Sequence, residues 1–264
     1  MTALAPFIAF AHTLANAASA MLTAHATTTM DTAVKGDKTF VTSLDLDIEE
    51  QLRTRIMTAF PDHGIWGEEF EAVRPDATWV WTLDPIDGTM AFVAGMPVYS
   101  TLIALCRDGV PVVGVMNFPA TGERWAGAAG HVSTRNGLPC RTRRGVARRD
   151  AILSASNPDF FIDEGEKRTL RAFTDETAWR VYGGAAMSYG RLACGRTDIA
   201  LDASLKIYDY APFIPIIEGA GGRITDWNGA ALHLQSGARI LAAGSTALHQ
   251  DGLDLIQLIA STTA

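Results

Sequence analysis

Residues 79–89, Trp79-Val80-Trp81-Thr82-Leu83-Asp84-Pro85-Ile86-Asp87-Gly88-Thr89, leave the chain around them little freedom. An apolar run ends abruptly in two carboxylates, a proline, a glycine and a hydroxyl. Aromatic and β-branched residues dominate the run, which predicts a buried strand. Pro85 is expected to stop the ladder by removing a backbone donor. Asp84 and Asp87 then bracket a tight turn, and Gly88 lets the backbone approach a ligand closely. A helix starting near Thr89 would aim its free N–H groups at the same spot. Two acids bind a hard cation there and amides bind an anion beside them, which suits metal-assisted chemistry on a phosphate ester.

At 264 residues the chain has enough length for one large domain or two small ones. Its 48% hydrophobic and 19% charged residues are ordinary for a globular protein. A formal charge of −7 argues against a nucleic-acid partner, which needs a basic face. Cys106, Cys140 and Cys194 are odd in number and widely spaced, with no metal or disulfide pattern. That points to a reducing, cytoplasmic compartment. Ala3 to Ala26 is alanine-rich like a signal peptide, but the first Lys or Arg is Lys35, so a positive leader is missing. Leu4, Phe7, Ile8, Ala11, Leu14, Ala15, Ala18 and Leu22 fall at helical spacing. They predict an amphipathic helix of the mature protein. No run reads as long and apolar enough to span a membrane, so no membrane partner is expected.

Beyond that helix, Gly36-Asp37 is a turn signal and Phe40-Val41-Thr42 a short β-prone piece. Ser43 or Asp45 can cap a helix running through Ile48, Leu52, Ile56 and Met57 to Pro61. Ile65-Trp66-Gly67-Glu68-Glu69 is a short apolar piece ending in paired acids. Strands are expected at Tyr99 to Cys106, Val110 to Asn117 and Arg124 to Ala128, with Asp108-Gly109 as a hairpin turn. Arg135-Asn136-Gly137 marks another turn. Arg141 to Arg149 holds five arginines without apolar periodicity and reads as a solvated linker. It sets the expected boundary between an α+β part, 1–145, and an α/β part, 146–264. In the second part strands are expected at Ala151 to Ser156, Trp179 to Tyr182, Ile199 to Asp202, Gly222 to Asp226 and Ile240 to Ala243. Helices are expected at Glu164 to Phe173, Ala185 to Cys194 and Asp209 to Gly219, with a last one capped by Ser245 or Thr246. This alternation predicts an α/β layered fold.

Acids follow predicted strands at Glu68, Asp84, Asp87 and Asp209. Taken alone, Asp209 reads as an N-cap, Glu68-Glu69 as a solvated loop and Asp87-Gly88 as an ordinary turn. Taken together, four acids beside apolar segments would repel one another unless cations neutralise them. The run Trp81-x-x-Asp84-Pro85-Ile86-Asp87-Gly88-Thr89, with Gly67-Glu68-Glu69 upstream, resembles the inositol monophosphatase superfamily. Tyr208-Asp209 followed by Glu218-Gly219-Ala220-Gly221-Gly222 resembles that family's second signature. The likeness covers nearly the whole chain. It implies a Mg2+-dependent phosphomonoesterase with a layered αβαβα sandwich, usually a homodimer and often inhibited by lithium.

Position by position, the resemblance implies that Glu68, Asp84 and the Ile86 carbonyl hold an activating Mg2+. It gives Asp84, Asp87 and Asp209 a second ion, with a third near Glu68. Thr89 would orient the attacking water with support from Asp45, which alone reads as a helix cap or exposed acid. The Gly88 and Thr89 amides would cradle phosphate. Asp87, Asp202 and the loop Gly183, Gly184, Ala185 would meet the rest of the substrate. Asn117-Phe118-Pro119, Glu123-Arg124-Trp125, Leu205-Lys206-Ile207-Tyr208-Asp209 and Pro215 are similar to the histidinol-phosphate phosphatase branch. Met90 and Ile207 stand where that branch usually has lysine and proline. Pro215 would kink a helix interior. The expected substrate is L-histidinol phosphate, with inositol 1-phosphate as the alternative. A non-catalytic binding relative is the alternative of another class, which loss of any of Glu68, Asp84, Asp87 or Asp209 would favour; all four are present. His12, His25, His63, His131, His233 and His249 show no ligand spacing and read as surface or capping residues.

Overall fold

The computed structural model describes residues 4–25, 32–34 and 40–261, so the turn signal at Gly36-Asp37 lies outside the described residues. In chain order the first half runs α1 (Ala5–His25), β1 (Thr32–Val34), β2 (Phe40–Thr42), α2 (Ser43–Ala59), β3 (Gly64–Gly67) and β4 (Trp79–Asp87). It continues α3 (Thr89–Val93), β5 (Ser100–Arg107), β6 (Val110–Phe118), β7 (Glu123–Ala128), β8 (Thr134–Arg135) and β9 (Leu138–Pro139). The second half holds β10 (Ile152–Ala155), α4 (Glu164–Glu176), β11 (Trp179–Tyr182), α5 (Met187–Ala193) and β12 (Ile199–Asp202). It closes with α6 (Ile207–Tyr210), α7 (Phe213–Gly219), β13 (Arg223–Asp226), β14 (Ile240–Ala243) and α8 (Thr246–Ser261).

Strands β3 to β9 form a seven-stranded sheet in sequence order, and β11-β10-β12-β14-β13 form a five-stranded one. Period-two alternation on β5 sends Ile103 and Leu105 to one face and Leu102, Ala104 and Cys106 to the other. The first face packs on Leu14, Ala18 and Leu22 of α1 and Ile48, Leu52 and Ile56 of α2. The second packs on Tyr189 and Leu192 of α5, Ile216 and Ile217 of α7, and Ala200 and Ala242 of the five-stranded sheet. The far face of that second sheet, with Leu153, Leu201 and Leu241, is covered by Phe173 of α4 and Leu253 and Ile256 of α8. The result is the expected five-layer αβαβα sandwich. Because β4 is buried on both faces, it reads as a near-continuous apolar run.

Local signals map closely onto the strands. Asp108 (φ 49°) and Gly109 (φ 80°) make the left-handed two-residue hairpin turn between β5 and β6. Thr42, not Ser43 or Asp45, is the N-cap of α2, and Asp45 completes a capping box with it. Other expectations are corrected. Pro85 does not end β4, which runs on to Asp87 through a register slip between Asp84 and Asp87 that tolerates the missing donor. The helix expected over 209–219 breaks into α6 and α7, which places Pro215 in the first turn of α7. There its missing N–H has no intrahelical partner to lose, so it kinks nothing. The arginine segment is not a free linker. Arg143 forks onto the buried Asp198, and Arg148 reaches Glu176 and Asp251. Finally, α1 is long and apolar enough by length and composition to cross a membrane, contrary to expectation. Here its Ala11, Leu14, Ala15, Ala18 and Leu22 are buried against α2 and the sheet.

Candidate active site

The site is built where β4 leaves its sheet. Thr101 donates to the Pro85 carbonyl at 2.9 Å and Ser100 to Asp87 Oδ2 at 3.0 Å, so β5 fixes both sides of the slip. Gly88 then takes φ 73°, which only glycine adopts at little cost, and α3 begins at Thr89 as expected. Thr89 Oγ1 donates to the Ile86 carbonyl at 2.9 Å. A Cβ on Gly88 would lie 3.4 Å from Ala185 Cβ, so the turn faces the Gly183 to Ala185 loop. The Ala186 amide closes this contact by donating to Asp87 Oδ2 at 3.1 Å. Ala185 itself sits at φ 44°, a strained value for a residue with a side chain.

Glu68 follows β3, and its amide donates to the Leu83 carbonyl at 3.1 Å, which sets it beside β4. Behind it lies a pair that sequence reasoning missed. Buried Glu49 accepts from the Glu69 amide at 2.8 Å and the Phe70 amide at 3.3 Å, and takes Arg53 Nε at 2.7 Å. Arg53 in turn donates to the Phe70 and Glu71 carbonyls. A Cβ on Gly67 would lie 2.0 Å from Glu49 Oε1, so only glycine lets this carboxylate reach the loop. The i, i+4 spacing of Glu49 and Arg53 was the available signal, but it equally fits an exposed helix pair.

Four acids act on one another here. Asp84 is buried, and its Oδ1 has no hydrogen-bond partner among the described residues. Burial, then Glu68, Asp87, Asp209 and Asp45, push its carboxyl well above the usual range. Burial likewise raises Asp87, against the Ala186 amide and Ser100. Asp209 is raised by burial and by Glu68 and Asp87, although its Oδ2 accepts the Lys206 amide at 2.6 Å. That bond is the capping role it shows when read alone, at the third position of α6 rather than the N-cap. Tyr208 beside it is raised by burial and by Glu68, Asp209 and Asp84. Asp45 is buried and accepts from Thr42 N and Oγ1 at 2.7 and 2.6 Å. Its charge reaches Asp84, while the Thr89 hydroxyl is turned to Ile86.

Among the described residues no three His, Cys, Asp or Glu side chains close into a ready-made cage. The fit to a hard cation rests on the unsatisfied Asp84 oxygen among mutually repelling carboxylates and the Ile86 carbonyl. Magnesium keeps several of its waters and needs only one or two carboxylates, so such a donor set suits it.

Asp202 departs from expectation. It is fully buried, and its oxygens accept Ser156 N at 2.8 Å, Ser156 Oγ at 2.9 Å and Tyr189 OH at 2.9 Å. Burial pushes its carboxyl up to about 7 against these donors. In this arrangement it anchors α5 and Ser156, whose carbonyl accepts the Gly183 amide at 3.0 Å. Ser156 and Tyr189 carried no sequence signal. The histidines stay away from the acids, but three are not surface residues: His12 is half-buried against Arg124. His249 is buried against Thr225 Oγ1 at 3.0 Å, and His63 accepts Trp81 Nε1 at 3.1 Å within an aromatic stack.

Comparison with known proteins agrees with this geometry. The model of the inositol monophosphatase family matches residues 3–260. The chain is 35% identical over 265 residues to the bifunctional phosphatase IMPL2, chloroplastic, of Arabidopsis thaliana, covering 97% of this chain and 76% of the relative. It is 37% identical to the histidinol-phosphatase of Mycobacterium tuberculosis, over 75% of this chain and 78% of that one. The solved inositol monophosphatase of Zymomonas mobilis superposes with a TM-score of 0.87 at 32% identity, covering 97% of this chain and all of that one. The acids gathered at the end of β4, the glycine turn beside them and the match over nearly the full length lead to one conclusion: this chain is a phosphatase belonging to the inositol monophosphatase family.

Proposed function

We propose that the chain is a Mg2+-dependent phosphomonoesterase that releases phosphate from L-histidinol phosphate. The observation that carries the metal-dependent part is Asp84, whose buried, unpartnered oxygen lies among Glu68, Asp87 and Asp209. Glu68, Asp84, Asp87, Asp209 and the Ile86 carbonyl would hold two or three ions. Bound Mg2+ supplies Lewis acidity toward the phosphoryl oxygens and lowers the pKa of the attacking water.

The remaining work falls to the chain itself. The Gly88 and Thr89 amides at the start of α3 would bind the phosphoryl group and offset its charge. Thr89 Oγ1, which donates to the Ile86 carbonyl, can turn to accept a hydrogen bond from the water and so orient it, with buried Asp45 adding negative charge nearby. Asp87, fixed by Ser100 and Ala186, ties the turn to the Gly183 to Ala185 loop. Positioning and electrostatics carry most of phosphoryl transfer, so these anchors count as much as the ligands.

The histidinol phosphate assignment is supported by the Mycobacterium tuberculosis relative and by the Glu123-Arg124-Trp125 and Leu205 to Asp209 stretches. Glu123 forks onto Arg191 of α5, and Trp125 packs under Gly190 of the same helix, so this stretch acts from behind the loop. Inositol 1-phosphate remains the second reading, supported by the Zymomonas mobilis likeness. We also propose a cytoplasmic homodimer. Edge strand β11 exposes Trp179, Val181 and Tyr182, an apolar strip of the kind that marks an interface.

Asp84→Asn tests the metal assignment. It keeps the shape but removes the charge, so turnover should vanish while the metal-free fold stays intact or gains stability. At 100 times its Kd, Mg2+ should stabilise the parent by about 2.7 kcal/mol, an increment the variant should lose. Unchanged turnover in Asp84→Asn would overturn the assignment.

A further inference from the structure

Cys140 and Cys194 are far apart in sequence, yet the fold brings them together outside the acidic site. Cys140 follows β9, is buried, and donates its amide to the Ser133 carbonyl at 2.9 Å. Cys194 ends α5 and is half-buried. The turn after it, at Gly195, lies on the segment after Cys140: a Cβ there would sit 3.0 Å from Arg143 N and 3.2 Å from the Arg141 carbonyl. Cys140 lies in the buried cluster against which Cys194 packs, so the two thiols are neighbours.

The surroundings of the two sulfurs differ. Trp125 Nε1 donates to Cys194 Sγ at 3.1 Å. The same indole ring carries the Arg135 guanidinium at 5.9 Å and that of Arg191 at 5.5 Å from its centroid. The neighbouring Cys140 thiol, then Trp125 and Arg135, hold Cys194 below the ordinary thiol range against the effect of burial. Cys140 keeps its proton, raised by the neighbouring Cys194 and by burial. Cys106 stands apart, fully buried in the core with its thiol pushed up. A lowered thiolate beside a resolving thiol is the arrangement that oxidises selectively.

We propose that Cys194 and Cys140 form a hydroperoxide-reactive dithiol that closes to an intramolecular disulfide. The Cys194 thiolate attacks the peroxide oxygen; the S–O bond forms, the O–O bond breaks, and the alcohol or water leaves with a proton. Sulfur is oxidised by two electrons and the peroxide is reduced. The Cys140 thiol then attacks the sulfenic sulfur; the S–S bond forms, the S–O bond breaks, and water leaves carrying the Cys140 proton. A reducing compartment keeps the pair as thiols until an oxidant arrives.

The test is hydrogen peroxide added in small excess to the reduced, full-length chain with Mg2+. The thiol count after denaturation should fall from three to one, and peptide mapping should place the disulfide at Cys140 and Cys194. The loss should run at least ~10-fold faster than that of glutathione at pH 7, because a free thiol is only a few per cent thiolate there. Cys194→Ser should abolish the fast reaction. Cys140→Ser should keep it but stop at a sulfenic acid trapped by dimedone, and Cys106→Ser should change nothing. A parent thiol count that stays at three while glutathione is consumed, a disulfide between chains, or undiminished reaction in Cys194→Ser would each overturn the proposal.

Discussion

Arg53→Met would expose how the site is held from behind. The substitution keeps the aliphatic stem but removes a guanidinium bonded to Glu49 Oε1 at 2.7 Å, Phe70 O at 2.9 Å and Glu71 O at 3.0 Å. Glu49 is then a fully buried carboxylate without its cation, held among the described residues by the Glu69 and Phe70 amides. Removing one partner of a buried ion pair costs about 3–5 kcal/mol, a large share of a total stability of roughly 5–15 kcal/mol. Urea denaturation measures it directly. The cost should depend on pH with a definite sign. Burial already raises the Glu49 carboxyl above its ordinary 4.5, and loss of Arg53 raises it further. A carboxyl that binds its proton more tightly folded than unfolded loses stability as pH rises from 4.5 through the raised value. The deficit against the parent should therefore be larger at pH 8 than at pH 5. Glu49→Gln/Arg53→Met, which leaves no buried charge, should recover part of the loss. The Glu68 loop hangs from this pair, so the Mg2+ concentration for half-maximal turnover should also rise. A deficit below about 1 kcal/mol, or one equal at both pH values and unrelieved in the double variant, would refute the reasoning.

Asp202→Ala should behave as an anchor lost rather than a selectivity change. It strands Ser156 N, Ser156 Oγ and Tyr189 OH at roughly 1–3 kcal/mol for each group left unpaired. Stability should drop by at least about 2 kcal/mol and all substrates should slow together, while Asp202→Asn keeps the shape and recovers most of the loss. A preference switch with unchanged stability would restore a direct substrate role. Trp179→Asp, placing a charge on the exposed β11 strip, should convert the proposed dimer to a monomer in sedimentation velocity. A parent that sediments as a monomer would remove that proposal.

Features carried by neighbouring residues were legible in the sequence. The apolar run of β4, the Asp108-Gly109 hairpin and the glycine-acid turn before α3 each owe their form to local sterics and local hydrogen bonding. The acids were found because four carboxylates next to apolar strands have few structural uses. What escaped was set by distant chain segments. Nothing beside Asp202 announces that Ser156 and Tyr189 will enclose it, and nothing beside Cys140 announces Cys194. Pro215 was misjudged because its effect depends on where α7 begins, and the break at Ala211-Pro212 moved that start. The arginines at 141–149 looked solvated because a charge run usually is, but Asp198 lies buried opposite Arg143.

Phosphate release from L-histidinol phosphate and inositol 1-phosphate, side by side with Mg2+ and with excess chelator, tests the proposed function most directly. No release is expected under chelation. With Mg2+, kcat/KM should be at least ~100-fold higher for histidinol phosphate, about 2.7 kcal/mol of transition-state discrimination. Equal or greater efficiency on inositol 1-phosphate, or full activity in chelator, would contradict the proposed function.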